Sequence, residues 1–178
     1  MTFHLRRAVP ADMAEIMRLE RAGFAEAIQE TEATFAERLS AAAEGCWVLE
    51  GEAGCLAGYL CAEFWPLQEG GDAGRFARNH AAADSHAADG EEVYVSSMVV
   101  DPATRGTGWG RRLFREALAA MFARHPRLCS TILIVNPEWS AARQIYSAEG
   151  FAEIGQIDDY FAPSSGGARL PAIVMRRA

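Results

Sequence analysis

No apolar run in this chain reaches the roughly 20 residues that a membrane-spanning helix needs. The opening stretch MTFHLRRAVPADM also lacks the apolar segment of a signal peptide. A cytoplasmic protein with no membrane partner is therefore the expectation. The four cysteines, Cys46, Cys55, Cys61 and Cys129, form no CxxC pair. Three of them sit in apolar, strand-like runs, so they read as reduced core residues rather than ligands or disulfides. The four histidines, His4, His80, His86 and His125, show no metal-ligand spacing, and no metal is expected. Basic charge is also short. Seventeen Lys and Arg stand against 24 Asp and Glu, for a net charge of −7. That argues against nucleic acid as a partner and weakly favours a cationic substrate. No segment repeats and no linker marks a boundary, so residues 1–178 are expected to form one domain with a core of its own.

What is present is a chain of alternating strand and helix signals. FHLRRAV alternates as a first strand, and Pro10 and Asp12 open a helix carrying Met13, Ile16 and Leu19. AGFAEAIQE is an irregular join. TFAE, from Thr34 to Glu37, has capping-box spacing and predicts the start of a second helix bearing Phe35 and Leu39. CWVLE and CLAGYLCAEFW flank GEAG and read as a hairpin. A long polar insert, about 66–91, follows, with a short helix expected near Arg75 to Ala83. A segment of this length inside a compact domain reads as a lid, a substrate loop or disorder. EVYVSSMVV is a strand, Leu113 to Phe122 recur at helical spacing, and Pro126 stops that helix. CSTILIV is a strand apolar enough to be buried on both faces. SAARQIYSAEG is a helix ended by Gly150, and FAEIGQI and LPAIVMRR close the chain as strands. The order predicts an α/β fold with a mixed sheet.

Between the strand ending at Val100 and the next helix lies DPATRGTGWGRR. A helix N-terminus carries unpaired N–H groups and a partial positive charge, and so binds an anion, above all a phosphate. Glycines let a large anion reach the backbone and let the chain take positive φ. Arg105 and Arg111 can add charge. GxxxxGK[ST] is absent, and GxGxxG fails because its third glycine falls on Arg111 or Leu113. The turn therefore points to a pyrophosphate that belongs to neither a nucleotide-hydrolysing loop nor a Rossmann site. The competing reading is a glycine-rich turn with a structural task only.

Val100-Asp101-Pro102 followed by Arg105-Gly106-Thr107-Gly108-Trp109-Gly110 resembles the acetyl-CoA motif of the GNAT superfamily of N-acetyltransferases, [R/Q]xxGxG/A after a V-x-P strand end. NPEWSAARQIYSAEGF is similar to a second signature of that family, with Ala142, Tyr146, Gly150 and Phe151 in place. The opening FHLRRAVPADMAEIMRLE is similar to its first strand and helix. The resemblance implies a GNAT-like fold, a twisted mixed β-sheet flanked by helices, whose two parallel strands splay apart at the cofactor site. It implies acetyl-CoA as co-substrate and acetyl transfer from a thioester to a primary amine.

The resemblance also implies roles. Tyr146 would be the acid that protonates the leaving thiolate; its alternative is a tyrosine packed on its helix. The backbone of Met98, Val99 and Val100 would meet the acetyl and pantetheine groups. The N–H groups of Gly106, Thr107, Gly108, Trp109, Gly110 and Arg111 would hold the pyrophosphate, with Arg105 beside them. Asn136 would contact the cofactor or order a water. The family's frequent asparagine seven residues before the tyrosine is Trp139 here, so Asn136 and Trp139 compete for that place. The strand before the glycine turn carries Tyr94-Val95-Ser96-Ser97 where some small-amine enzymes have histidines. Glu92 is then the first candidate for the base, with Glu63, Glu20, Glu26 and a chain of waters as alternatives.

The acceptor stays open between two likenesses. AGFAEAIQETEATFAERLSAAAEGCWVLEGEAGCLAGYL is similar to the acceptor side of arylalkylamine and related small-amine acetyltransferases. The tail DDYFAPSSGGARLPAIVM is similar to ribosomal-protein alanine acetyltransferases, where an aromatic pair, here Tyr160-Phe161, helps grip a peptide N-terminus. A small-molecule amine is the favoured partner. A peptide N-terminus, or a module that binds acetyl-CoA without catalysis, is the alternative. Sheet edges of such domains often pair, so a homodimer is one assembly the resemblance allows.

Overall fold

The computed structural model describes residues 2–68, 73–162 and 167–178. Part of the insert (69–72) and part of the last hairpin loop (163–166) lie outside the described residues. Seven strands form one sheet: β1 (His4–Arg7), β2 (Trp47–Glu50), β3 (Leu56–Trp65), β4 (Glu92–Val100), β5 (Ser130–Val135), β6 (Ala152–Phe161) and β7 (Leu170–Arg177). Their spatial order is β1-β2-β3-β4-β5-β7-β6. Every pairing is antiparallel except β4 with β5. The helices are α1 (Met13–Gly23), α2 (Glu32–Ala41), the single turn α3 (Ala82–Ser85), α4 (Trp109–Arg124) and α5 (Ser140–Ala148). The predicted mixed α/β sheet is the one observed.

Helices cover both faces because the strands bury both. On one face α4 sets Leu113, Phe114, Ala117, Leu118 and Met121 against Leu49, Leu60, Phe64 and Leu133. On the other, Ile16 and Leu19 of α1 and Phe35 and Leu39 of α2 pack on Val48, Tyr59, Cys61 and Val99. Each fully buried Leu, Ile or Phe side chain contributes roughly 1.5–3 kcal/mol, so the two layers anchor the sheet from both sides. Alternation along β4 sorts its last residues. Val99 faces α1, while Met98 and Val100 face the α4 side.

Three local expectations change. Helix α2 begins at Glu32 rather than at Thr34. Thr31 is its N-cap, and the Thr34 N–H donates to Thr31 Oγ1 at 3.2 Å. Thr31 and Thr34 both have capping chemistry, and the earlier one wins because it adds three residues to the helix. Among its described residues the insert holds a 3-10 turn at Ala73–Phe76 and the single turn α3 rather than one helix. All four cysteines are free, but only Cys46 and Cys61 are buried. Cys55 and Cys129 are exposed where the chain enters β3 and β5, whereas Cys46, just before β2, packs in the core with Ile16 and Phe35.

Candidate active site

The site begins where β4 and β5 part. They pair in register only from Glu92–Ser130 to Val95–Leu133. Beyond that, β5 keeps β7 as partner through Val135, and β4 keeps β3 through Val100. Ser96 is the extra residue of a bulge: Cys61 faces Ser97 and Ala62 faces Val95. A bulge bends its strand, and Ser96 Oγ secures it by donating to the Cys61 carbonyl at 3.1 Å. The last turn of β4 is thus left open toward α5.

At the end of β4, Asp101 accepts from Ala103 N–H at 2.9 Å and from Arg18 of α1 at 2.7 Å. These bonds hold its carboxyl below the usual carboxylate range, the Ala103 bond foremost. The chain then reaches Gly106 (φ +76°) and Gly108 (φ +86°). A Cβ at either would meet nothing within 4 Å, so only the left-handed backbone requires glycine there. Gly108 is the N-cap of α4 and offers no side-chain cap. The N–H groups of Trp109, Gly110 and Arg111 have no hydrogen-bond partner among the described residues. Gly110 lies close on β4, where a Cβ would sit 3.3 Å from Val100 Cγ2. Beside this end runs a groove lined by Gly108, Arg111, Arg112, Arg115 and Glu116. The Arg111 side chain is occupied by Glu149 at 2.6 Å. Thr107 is tied back to the Thr104 carbonyl, Trp109 packs edge-on against Phe3, and Arg105 is exposed. The open amides, the absent Cβ atoms and the parted strands fit the pyrophosphate and pantetheine of acetyl-CoA. No cluster of metal-binding side chains occurs among the described residues.

The parted strands lead into a cavity of about 120 Å³. Tyr146 and Ala142 of α5, Met98 of β4, Trp139, Glu20, Arg38, His80 and the pair Tyr160-Phe161 are among its walls. Burial pushes the Tyr146 phenol up to about 12. Its hydroxyl makes no hydrogen bond among the described residues, so a protonated donor faces the cavity.

Of the four carboxylates considered for the base, only Glu20 reaches this cavity. Glu92 sits at the far end of β4, buried, accepting from Ser130 Oγ and Arg176 Nε at 2.8 Å each. Glu92 shares its face of β4 with Tyr94, which lines the cavity, but it lies at the far end of the strand, held by that pair and outside the lining, so it does not take the place expected of the base. Glu63 is saturated by His80, Ser85 and Trp65. Glu26 is exposed outside the cavity. Glu20 is fully buried on α1. It accepts from the Tyr59 hydroxyl and from Glu30 N–H, and Tyr59 also touches Ser97 Oγ at 2.9 Å. Burial raises its pKa above the ordinary value, against the pull of those two hydrogen bonds.

Asn136 is buried but does not line the cavity. Its Oδ1 accepts from Glu138 N–H at 2.9 Å and its carbonyl from Trp139 N–H, so it shapes the turn into α5. Trp139 is the residue that reaches the cavity, packed between Phe24 and Phe161. The cavity's ionic floor went unforeseen. Arg38, 1% exposed, grips Glu30 with both terminal nitrogens and faces Glu63 with Nε at 3.6 Å. His80 of the insert donates to Glu63 at 2.8 Å and to the Ala77 carbonyl at 2.8 Å. Burial alone would lower the His80 pKa, but the Glu63 bond and charge outweigh it and raise it.

No curated protein sequence matches the chain. Many solved structures share its architecture, among them the following three. The ribosomal-protein-S18-alanine N-acetyltransferase of Escherichia coli aligns with a TM-score of 0.72 at 19% identity, over 98% of this chain and 92% of that one. The phosphinothricin acetyltransferase of Sinorhizobium meliloti, solved with acetyl-CoA, gives 0.69 at 24%, over 99% and 88%. The loading domain of CurA from Lyngbya majuscula gives 0.81 at 14%, over 99% and 97%. At these identities the likeness carries the fold and leaves the substrate open. The profile of the acetyltransferase (GNAT) family matches residues 12–151, most of the chain. The sheet, the glycine turn and the parted strands thus have a family: the chain belongs to the GNAT acetyltransferases.

Proposed function

We propose that the protein is an acetyl-CoA-dependent N-acetyltransferase, working as one domain and acting on a small primary amine. The observation that carries this is Tyr146: an unpartnered, protonated phenol in the wall of a cavity that opens between β4 and β5, with the bare end of α4 after β4. Acetyl-CoA, when bound, supplies the acetyl thioester. The amides of Gly106 to Arg111 hold its pyrophosphate, helped by Arg105 and Arg112. The backbone of Met98 to Val100, freed from β5, accompanies its acetyl end. Glu20 takes the proton that the ammonium must lose, and its raised pKa makes it a stronger base than an ordinary carboxylate. The amine nitrogen then bonds to the carbonyl carbon, the carbon–sulfur bond breaks, Tyr146 gives its proton to the sulfur, and the second proton that the nitrogen sheds as the amide forms returns the phenol to its neutral state.

The charged cavity favours a small amine over a peptide N-terminus. Tyr160 is tied to the insert, since its hydroxyl donates to the Phe76 carbonyl, and is not free to grip a peptide. The test is release of the CoA thiol from acetyl-CoA over a panel of amines, for wild type and Tyr146→Phe. Amine-dependent release that the variant loses supports the reading. Stabilisation by acetyl-CoA with no release for any amine would favour a binding module instead.

A further inference from the structure

The buried charges of the cavity are paired so that one position stays open. Glu30 has Arg38, and Glu63 has His80 and Arg38. Both ring nitrogens of His80 are engaged. Glu20 alone of the buried carboxylates lining the cavity makes no ion pair among the described residues. A buried carboxylate without a cation is costly, and a bound ammonium would complete it. The converse holds for anions. Arg38 gives both terminal nitrogens to Glu30 and faces Glu63 with Nε, His80 spends its ring nitrogens on Glu63 and the Ala77 carbonyl, and the other lining cation, Arg78, is exposed and donates to the Ala27 carbonyl. At the floor three carboxylates, Glu20, Glu30 and Glu63, thus face two cations, Arg38 and His80, and an anionic group on a substrate would meet net negative charge there.

Part of the remaining wall is aromatic. Phe24 and Trp139 have ring centroids 5.4 Å apart, Trp139 and Phe161 5.3 Å, and Phe161 and Tyr160 4.9 Å. These rings come from three distant parts of the chain: the end of α1, the start of α5 and the end of β6. They bury flat apolar surface well, and their faces attract a cation.

We propose that the acceptor is a primary amine on a flat apolar body with no anionic group, its ammonium against Glu20 and its body against Phe24, Trp139 and Phe161. This rests on the acetyl-transfer reading above for its chemistry, but not for its binding. A free amino acid would bring a fourth carboxylate to a floor where three already face two cations. A polyamine would strand further ammonium groups among the rings, and a peptide would bring amides that the rings cannot satisfy.

A matched series tests it: 2-phenylethylamine, L-phenylalanine, ethylamine, spermidine and a short peptide with a free N-terminus. Each is measured for kcat/KM by thiol release, and for binding to CoA-saturated protein by calorimetry. The expected result is that 2-phenylethylamine exceeds each of the others at least tenfold in both. Trp139→Ala and Phe161→Leu should each raise its KM about tenfold with kcat little changed, while the KM for ethylamine stays put. Unchanged stabilisation by acetyl-CoA identifies the variants that still fold. Preference for phenylalanine, spermidine or the peptide overturns the acceptor class and leaves acetyl transfer standing. Tight binding of 2-phenylethylamine without turnover upholds the acceptor class and overturns acetyl transfer. Neither binding nor turnover for any amine overturns both.

Discussion

Tyr146 and Glu20 line one cavity with opposite tasks, and burial sets each for its own. With its phenol pushed to about 12, Tyr146 stays protonated throughout the working range. Tyr146→Phe should lower kcat by roughly 10²–10⁴-fold, the span of general-acid catalysis, with acetyl-CoA affinity little changed. Because the phenol does not titrate below about 12, the loss should be the same at every pH tested. A rate deficit that varies with pH would count against it. Glu20 must be ionised to accept a proton, and its pKa is raised above the ordinary 4.5. The acid limb of kcat/KM should therefore lie above that value, with activity falling as pH falls through it, and Glu20→Gln should abolish the limb along with most of the rate. Gly108 bears on the cofactor. A side chain there meets no protein atom within 4 Å, so Gly108→Glu costs the fold only the strain of a left-handed residue, about 1–2 kcal/mol. Its carboxylate would lie at the open end of α4, so acetyl-CoA binding should disappear in calorimetry while the protein remains folded.

The insert shows what an element adds beyond its residues. It holds His80 against Glu63 and supplies the Phe76 carbonyl to Tyr160, so it forms part of the cavity rather than a free loop. His80 has a raised pKa, so the stability it contributes is full below the ordinary imidazole value of 6.5 and is lost as pH rises through the raised one. Glu63 has a lowered pKa, so its contribution is full above 4.5 and is lost as pH falls through the lowered value. The insert is thus held best between those limits. Limited proteolysis within 73–91 should speed up on the alkaline side, and His80→Gln should be cut at a rate independent of pH there. Equal alkaline acceleration in the variant would remove His80 as the cause. The elements themselves were legible in the sequence, because periods of 2 and 3.6 and glycine or proline stops are local. The glycine turn was legible for the same reason, since it is one contiguous stretch. The acceptor cavity was not. Its walls come from α1, α2, the insert, β4, α5 and β6, and nothing near His80 or Arg38 marks them as neighbours. Glu92 shows the same blindness: its partner Arg176 lies 84 residues away.

For the whole molecule, ligand binding and folding are linked. Acetyl-CoA at a hundred times its Kd should add about 2.7 kcal/mol, which for a chain of this size raises Tm by roughly 5–11 °C at 2–4 °C per kcal/mol. The proposed cofactor reading fails if saturating acetyl-CoA leaves Tm unmoved. No helix among the described residues is long and apolar enough to cross a membrane. The sequence also contains no lysine, all 17 of its basic residues being arginine, so the protein's own side chains offer no amine to acetylate. Apart from the chain's α-amino group, an N-acetylated product must then come from an added acceptor. The most direct measurement is mass spectrometry of an incubation with acetyl-CoA and 2-phenylethylamine, for wild type and Tyr146→Phe in parallel. The account predicts N-acetylated amine in amounts equal to the CoA released by wild type, and a trace at most with the variant. Thiol release without acetylated amine, or equal product from both proteins, would contradict it.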